Sequence, residues 1–342
     1  MEFFEPEKLI SFRGIHLSKP KIFVTRPLQR AAIDLMATQC EVAFNPEDVR
    51  LTPAQLAEAC REVEGLVASG AQVTEELLEQ APHLRVVSTV GVGYDNIDVA
   101  ACTRRRIMVT NTPGVVTEAT ADLTFALLMA VARRLVEADN YVRGGHWKTW
   151  SWGFMWGTNI AGKTLSIYGF GRIGQAVARR ARGFSMRILY YSVDRPTPEQ
   201  EKELGAQFVD RETLLREADF LCLHVPLAAD THHLITSAEL ALMKPTAFLV
   251  NTSRGKVVEE AALVEALKSK RIAGAGLDVF EFEPKISPDL LAMSNVVVSP
   301  HMGTATGETR LAMAMLTAEN MIAAIAGRRP PNLVNPEVVT AK

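Results

Sequence analysis

Thr164-Leu165-Ser166-Ile167-Tyr168-Gly169-Phe170-Gly171-Arg172-Ile173-Gly174 decides how the second half of this chain folds. A mostly apolar run leads into three glycines spaced G-x-G-x-x-G. Gln175 to Arg182 then reads as a helix, and Arg187 to Tyr191 as a new strand. A lone G-x-G-x-x-G says little. Strand, glycine turn, helix and second strand in that order make the β–α–β unit that the dinucleotide fingerprint requires. Gly169 allows the tight turn, Gly171 lets a pyrophosphate approach the backbone, and Gly174 lets the helix lie close on the strand. The helix N-terminus offers unpaired N–H groups and a partial positive charge to the phosphates.

Upstream, the pattern is of the same kind. Lys21 to Thr25 reads as a strand, Gln29 to Thr38 as a helix, and Thr52-Pro53-Ala54 as a capped helix start. Gly65 to Ala68 is a short buried strand, Thr74 to Gln80 a helix and Leu84 to Ser88 another strand. Such alternation predicts parallel sheets with helices on both faces, an α/β fold. Thr117 to Arg134 is the longest continuous helical pattern, with Thr117 as its cap. From Arg143 to Gly157 runs a linker-like stretch holding Trp147, Trp150, Trp152 and Trp156. A second β–α series extends from Thr164 to about Pro300, and a last helix, Glu308 to Ala326, stops at Gly327.

The bulk properties narrow the function classes. At about 150 residues per domain, 342 residues suggest two domains. The formal charge of −2 leaves no basic footprint for nucleic acid. The longest apolar run, Leu123 to Ala132, is about half a membrane span, so no membrane is expected. Cys40, Cys60, Cys102 and Cys222 are scattered and form no C-x-x-C pair; they read as buried reduced thiols of a cytoplasmic protein, without metal. Residues 1–20 form an N-terminal extension with neither signal-peptide nor clean transit-peptide character.

Three ionisable groups follow strand ends behind the glycine turn. Arg254 lies in Asn251-Thr252-Ser253-Arg254-Gly255, just beyond the apolar Ala247 to Val250. Asp278 follows Ala275-Gly276-Leu277, and Glu283 comes five residues later. His301 stands in Pro300-His301-Met302-Gly303, after Val296 to Ser299. In open α/β sheets ligands bind outside the carboxyl ends of strands. A guanidinium can hold a keto-acid carboxylate in a bidentate grip and polarise the neighbouring carbonyl. An imidazolium can give that carbonyl oxygen a proton as hydride reaches carbon, and a carboxylate beside it orients the ring and favours its charged form. Taken singly, each reads better as a surface arginine, a helix-cap glutamate or a satisfied histidine; together, behind a cofactor turn, the balance reverses. Gly91-Val92-Gly93 lacks the third glycine of a dinucleotide turn and reads on spacing as an ordinary turn, although its N–H groups could hold a carboxylate.

With these motifs in order, the chain resembles the D-isomer-specific 2-hydroxyacid dehydrogenase family, most closely its glyoxylate/hydroxypyruvate reductase branch. The resemblance runs from about Lys21 to Val339. It rests on Val92-Gly93-Tyr94-Asp95-Asn96-Ile97-Asp98, Asn111-Thr112-Pro113-Gly114, the glycine turn, Asn251 to Gly255, Gly276 to Pro284 and Ser299 to Gly303. It implies two doubly wound parallel-sheet domains: a Rossmann cofactor domain at 119–304, inserted in a flavodoxin-like substrate domain at 21–118 and 305–342. It also implies reduction of a small 2-keto acid to the D-2-hydroxy acid by a homodimer using NAD(H) or NADP(H).

The resemblance makes Arg254 the substrate clamp, Glu283 the histidine's partner and His301 the acid/base. Gly169, Phe170, Gly171, Arg172, Ile173, Gly174, Pro226, Thr252, Ser253, Arg254, Asp278, His301 and Gly303 map onto cofactor contacts. Val92 and Gly93, with Arg254 and His301, map onto the substrate. Two departures stand out: Met302, where isoleucine is frequent, and Ser192, eighteen residues after Gly174, where NAD-strict members carry an acid. Ser192, Val193, Asp194 and Arg195 together face the cofactor choice. The missing acid admits a 2′-phosphate that Arg195 could attract, whereas Asp194 could stand in for the acid. Between Gly65 and Pro82 there is no Lys or Arg to hold a substrate phosphate, so glyoxylate, hydroxypyruvate or 2-ketogluconate fits better. The tryptophan stretch reads as an interface arm, with Trp150 reaching a substrate pocket, or alternatively as core. A dinucleotide-sensing corepressor of the same fold is the competing class.

Overall fold

The computed structural model describes residues 19–340, so the expected extension at 1–20 lies almost wholly outside the described residues. The described residues divide into two compact units, one built from those up to 116 with those from 305 onward and the other from 117–304.

The first unit is a five-stranded parallel sheet of β1 (Lys21–Val24), β2 (Glu41–Phe44), β3 (Gly65–Val67), β4 (Val86–Ser88) and β5 (Met108–Thr110), ordered β2-β1-β3-β4-β5. That is the flavodoxin-like winding. Strands β3, β4 and β5 are buried throughout, as short strands covered on both faces must be. The helices fall where capping chemistry puts them. Thr52 accepts from the Gln55 N–H at 3.3 Å and precedes helix Pro53–Cys60; Thr74 caps Glu75–Glu79. The C-terminal residues complete the sheet, since Asn335 takes the Val109 N–H at 2.8 Å and gives its amide to the Ile107 carbonyl at 2.9 Å.

The second unit has seven parallel strands: β6 (Thr164–Tyr168), β7 (Arg187–Tyr191), β8 (Ala206–Phe208), β9 (Phe220–Leu223), β10 (Phe248–Asn251), β11 (Gly274–Leu277) and β12 (Val296–Val298). Their order is β12-β11-β10-β9-β6-β7-β8, so the direction of winding reverses between β6 and β9. Crevices for ligands open at the carboxyl ends of strands beside such a switch point. Leu165, Ile167, Leu221, Leu223, Leu249 and Val250 are essentially inaccessible, and each contributes roughly 1.5–3 kcal/mol by leaving water.

One expected helix is divided. The first part runs Thr117–Ala132, with Thr117 inside the first turn rather than before it. Arg134 then turns left-handed at φ 54°, and a second helix, Leu135–Arg143, follows. The break is stabilised by the Arg134–Glu137 ion pair at 2.7 Å. Core packing does not describe the tryptophans beyond it: Trp147, Trp150, Trp152 and Trp156 are 58%, 71%, 78% and 69% exposed.

Candidate active site

The glycine turn has the geometry its three positions call for. Gly169 has φ +92°, and a Cβ there would meet the His224 carbonyl oxygen at 2.6 Å. A Cβ on Gly174 would lie 2.3 Å from the Gly169 oxygen, so helix Arg172–Gly183 could not pack as closely on β6 with any larger residue. At Gly171 a Cβ would meet nothing within 4 Å. Two glycines are required by the protein's own packing, and the third leaves open space in front of a helix N-terminus. That is a cradle fitted to a pyrophosphate. The Phe170 side chain points away from it into the core, stacked 4.0 Å from the Tyr190 ring, which leaves its backbone for a ligand.

Arg254, Asp278 with Glu283, and His301 follow β10, β11 and β12, three neighbours in the sheet. Asn251 shapes the first loop: its side-chain oxygen accepts from Ser253, and its amide donates to the Arg254 carbonyl at 2.9 Å. Gly255 brings this loop against the next, because a Cβ there would overlap the Phe280 carbonyl at 1.9 Å. In the following loop Glu283 accepts the Phe280 N–H at 2.9 Å through Oε1 and faces His301 Nδ1 at 2.9 Å through Oε2. Pairing through Nδ1 leaves Nε2, on a half-exposed side chain, as the ring nitrogen that can meet a substrate.

His301 has φ +52°, a left-handed conformation that costs a non-glycine residue about 1 kcal/mol or more. Asp278, 1% exposed, holds it there. Its carboxylate accepts from Ser299 Oγ at 2.6 Å and from the N–H groups of Met302 and Gly303 at 2.8 Å each, while its carbonyl takes the His301 N–H at 2.8 Å. Both oxygens are therefore engaged by the 299–303 loop. Burial acts to raise the Glu283 carboxyl. The His301 hydrogen bond, the Phe280 N–H and the charges of His301 and Arg254 outweigh it and hold the group below its usual value.

The other expected residues are more scattered. Thr252 is buried and shares a 2.8 Å hydrogen bond with Thr124; Ser253 gives its carbonyl to Arg254 Nη1 at 2.8 Å. Pro226 is exposed just past β9, its carbonyl accepting from Thr231 at 2.6 Å. Ser192 to Arg195 follow β7. Arg195 pairs with Glu201 at 2.8 Å and lies 4.3 Å over the Phe208 ring, so it is already partnered, whereas Val193 is 86% exposed. Val92 and Gly93 belong to the first unit, beyond β4. Asn111 fixes their loop through the Val92 carbonyl at 2.8 Å, and the Val92 and Gly93 N–H groups find no acceptor among the described residues.

Sequence reading assigned no role to two side chains: Glu281, two residues before Glu283, and His233. They pair at 2.8 Å, forty-eight residues apart, a separation that no local pattern reveals. Among the described residues no cluster of His, Cys, Asp and Glu could hold a metal ion, and no helix is long and apolar enough to cross a membrane. The four cysteines are buried and unpaired, and burial pushes the Cys60 thiol up to about 12.

Residues 125–303 match the family described as D-isomer specific 2-hydroxyacid dehydrogenase, NAD binding domain. A glyoxylate reductase of Thermococcus litoralis is 52% identical over 328 residues, 94% of this chain and 99% of that protein. One from Pyrococcus furiosus is 50% identical over 94% of this chain and 97% of its own length. The NADPH-dependent glyoxylate/hydroxypyruvate reductase of Sinorhizobium meliloti, solved with NADP and malonate, superposes with a TM-score of 0.84 at 33% identity, covering 94% of this chain and 98% of that one. The corepressor alternative gains no support from these relatives. A fingerprint turn at the switch point, two parallel sheets and these matches agree: the chain belongs to the D-isomer-specific 2-hydroxyacid dehydrogenase family and is an NAD(P)-dependent oxidoreductase.

Proposed function

We propose that the chain reduces glyoxylate, hydroxypyruvate or a similarly small, unphosphorylated 2-keto acid to its D-2-hydroxy acid. The observation that carries this reading is the 2.9 Å Glu283–His301 pair, on the loops after β11 and β12 and beside β10, which delivers Arg254, behind the open glycine turn. Reductases of glyoxylate at about half identity over nearly the whole chain support the substrate class.

The pyrophosphate of the dinucleotide would rest on the Gly169–Gly174 turn and the ribose near Ser192 to Arg195, with Pro226, Thr252 to Arg254, Asp278 and His301 to Gly303 forming the rest of its seat. When bound, the reduced nicotinamide supplies hydride to the keto carbon. Arg254 grips the substrate carboxylate and polarises the carbonyl. Protonated His301 delivers its Nε2 proton to the carbonyl oxygen, and Glu283 keeps the ring oriented and its charge balanced throughout. In the reverse direction neutral His301 takes the hydroxyl proton.

His301→Ala should lower kcat by roughly 10²–10⁴, the range for general acid catalysis, with 5′-AMP affinity unchanged. Near-normal turnover in that variant would remove His301 from the chemistry. Arg195's engagement by Glu201 leaves NADH and NADPH both admissible. Ser192→Asp should then lower kcat/KM for NADPH far more than for NADH, and a wild-type enzyme already a thousandfold selective for NADH would contradict this. Exposed aromatics clustered at 147–156 suit the interface of a homodimer, with Trp150 reaching a substrate pocket. A sedimenting, fully active monomer would exclude both. Four unpaired cysteines suit a cytoplasmic location.

A further inference from the structure

We propose that Glu281, joined to His233 and to helix Glu260–Lys268, is the positioning residue that sets where Glu283 stands. This inference rests on the reading of Glu283 as the partner of His301.

Glu281 is nearly buried, its side chain 12% exposed, and both of its oxygens meet donors. Oε1 lies 2.8 Å from His233 Nε2, and Oε2 accepts the Glu260 N–H at 3.0 Å. Glu260, 8% exposed, answers in kind. Its carboxylate takes the Glu281 N–H at 3.1 Å through one oxygen and the Ser287 N–H at 3.3 Å through the other. The 281–287 segment, with Glu283 inside it, is thus pinned at both ends to one helix N-terminus. The side-chain contact with His233 ties it to a third segment. His233 is itself fixed: its N–H donates to the Lys256 carbonyl at 2.8 Å, its ring stacks 4.1 Å from His232, and Ile235 pairs with Val258. Behind Phe280 the Gly255 backbone leaves no room for retreat.

The Arg254 loop, the His233 segment and the Glu283 loop therefore meet around Glu281, and the titratable groups in hydrogen-bond contact with it are His233 and Glu260. Glu281 touches no reacting atom. It acts through Glu283, two residues on, whose oxygen must stay within hydrogen-bond reach of His301. A displacement of about 1 Å at such a group can cost roughly 10²-fold in rate.

Tautomer chemistry separates positioning from mere charge. In Glu281→Gln the amide oxygen can still accept from the Glu260 N–H. Its NH2 can donate to His233 if the neutral ring moves its proton to Nδ1. Glu281→Ala has no such recourse.

The experiment measures kcat, KM for glyoxylate, the pH–rate profile of reduction and 5′-AMP affinity for wild type, Glu281→Ala, Glu281→Gln, His233→Leu and Glu283→Gln. The expected result is a fall in kcat of about 10- to 100-fold in Glu281→Ala and His233→Leu. The alkaline limb of the profile should move in the same direction as in Glu283→Gln, with 5′-AMP affinity intact and most of the activity retained in Glu281→Gln. Should Glu281→Ala not fold, the contrast of His233→Leu with His233→Gln, which keeps a donor, gives the same reading. If Glu283→Gln changes the profile while Glu281→Ala and His233→Leu do not, the positioning role is refuted alone. If Glu283→Gln also leaves rate and profile unchanged, the reading of Glu283 falls and this inference with it.

Discussion

Asp278 offers a sharp test of how His301 is held, because the substitution that preserves its shape is expected to fail almost as badly as the one that deletes it. The carboxylate meets three donors: Ser299 Oγ and the Met302 N–H at one oxygen, the Gly303 N–H at the other. Hydrogen bonds to a charged acceptor contribute about 1.5–3 kcal/mol each, so the additive ceiling for Asp278→Ala is roughly 5–9 kcal/mol. Three bonds sharing one acceptor overlap, and about 3–5 kcal/mol is the expected loss. Asp278→Asn retains one oxygen and at best two of the three bonds. Its NH2 then faces the buried Gly303 N–H, donor against donor, at a cost of about 2–3 kcal/mol for the lost bond and the stranded group. Freed of its anchor, His301 can leave φ +52°, and its Nε2 drifts from the proton-transfer position. Urea unfolding of both variants, with kcat for glyoxylate and 5′-AMP affinity on the same preparations, reads the stability and the chemistry together. An Asp278→Asn protein within about 0.5 kcal/mol of wild type and with normal kcat would show that the loop stands without this carboxylate.

Two further outcomes are expected. Glu283 is held below its usual value in the folded protein, so the stability it confers is fully present above the unfolded carboxylate value and is lost as pH falls through the lower folded one. The stability gap between wild type and Glu283→Gln, from denaturant titrations, should therefore close in acid as pH falls through the lower folded value; a gap that widens in acid would reverse the assigned sign. Gly171→Ala should keep the wild-type melting temperature and bind 5′-AMP and NADH more weakly, whereas Gly174→Ala should lose stability because its Cβ meets the Gly169 oxygen. Equal melting temperatures for the two variants would mean that the glycines do not divide these tasks.

Both sheets and the glycine turn were legible in the sequence because each depends on local rules. An apolar run bounded by turns is a buried strand, and a residue with φ +92° in van der Waals contact with a carbonyl is a glycine. The places of Arg254, Asp278 and His301 were legible for a related reason, each standing one to four residues past a strand that could be read. The break at Arg134 was not, since Ala132 to Val136 carry good helix formers and the left-handed turn is held by an ion pair with Glu137. Short β5 and β8, three residues each, carry too little pattern to be separated from their flanks. Glu281 and His233 escaped because their meaning lies in a contact across forty-eight residues, and a buried glutamate looks in sequence like any other. Arg195 was read as free to attract a phosphate, and only the fold puts Glu201 beside it.

The first unit is written at both ends of the chain, and that has a consequence for the order of its birth. Strands β1 to β5 are finished by residue 110, yet the helix Gly307–Ile325, whose Met321 presses against Gly65 of β3, comes nearly two hundred residues later. At synthesis rates of about 5–20 residues per second, that interval lasts roughly 10–40 s. The second unit meanwhile emerges uninterrupted and can close its seven-stranded sheet as soon as Thr304 is free. On the ribosome the earlier-made sheet waits with one apolar flank uncovered, while the later-made one is already complete. A nascent chain of this protein thus exposes its oldest strands longest, and a chaperone would find them there.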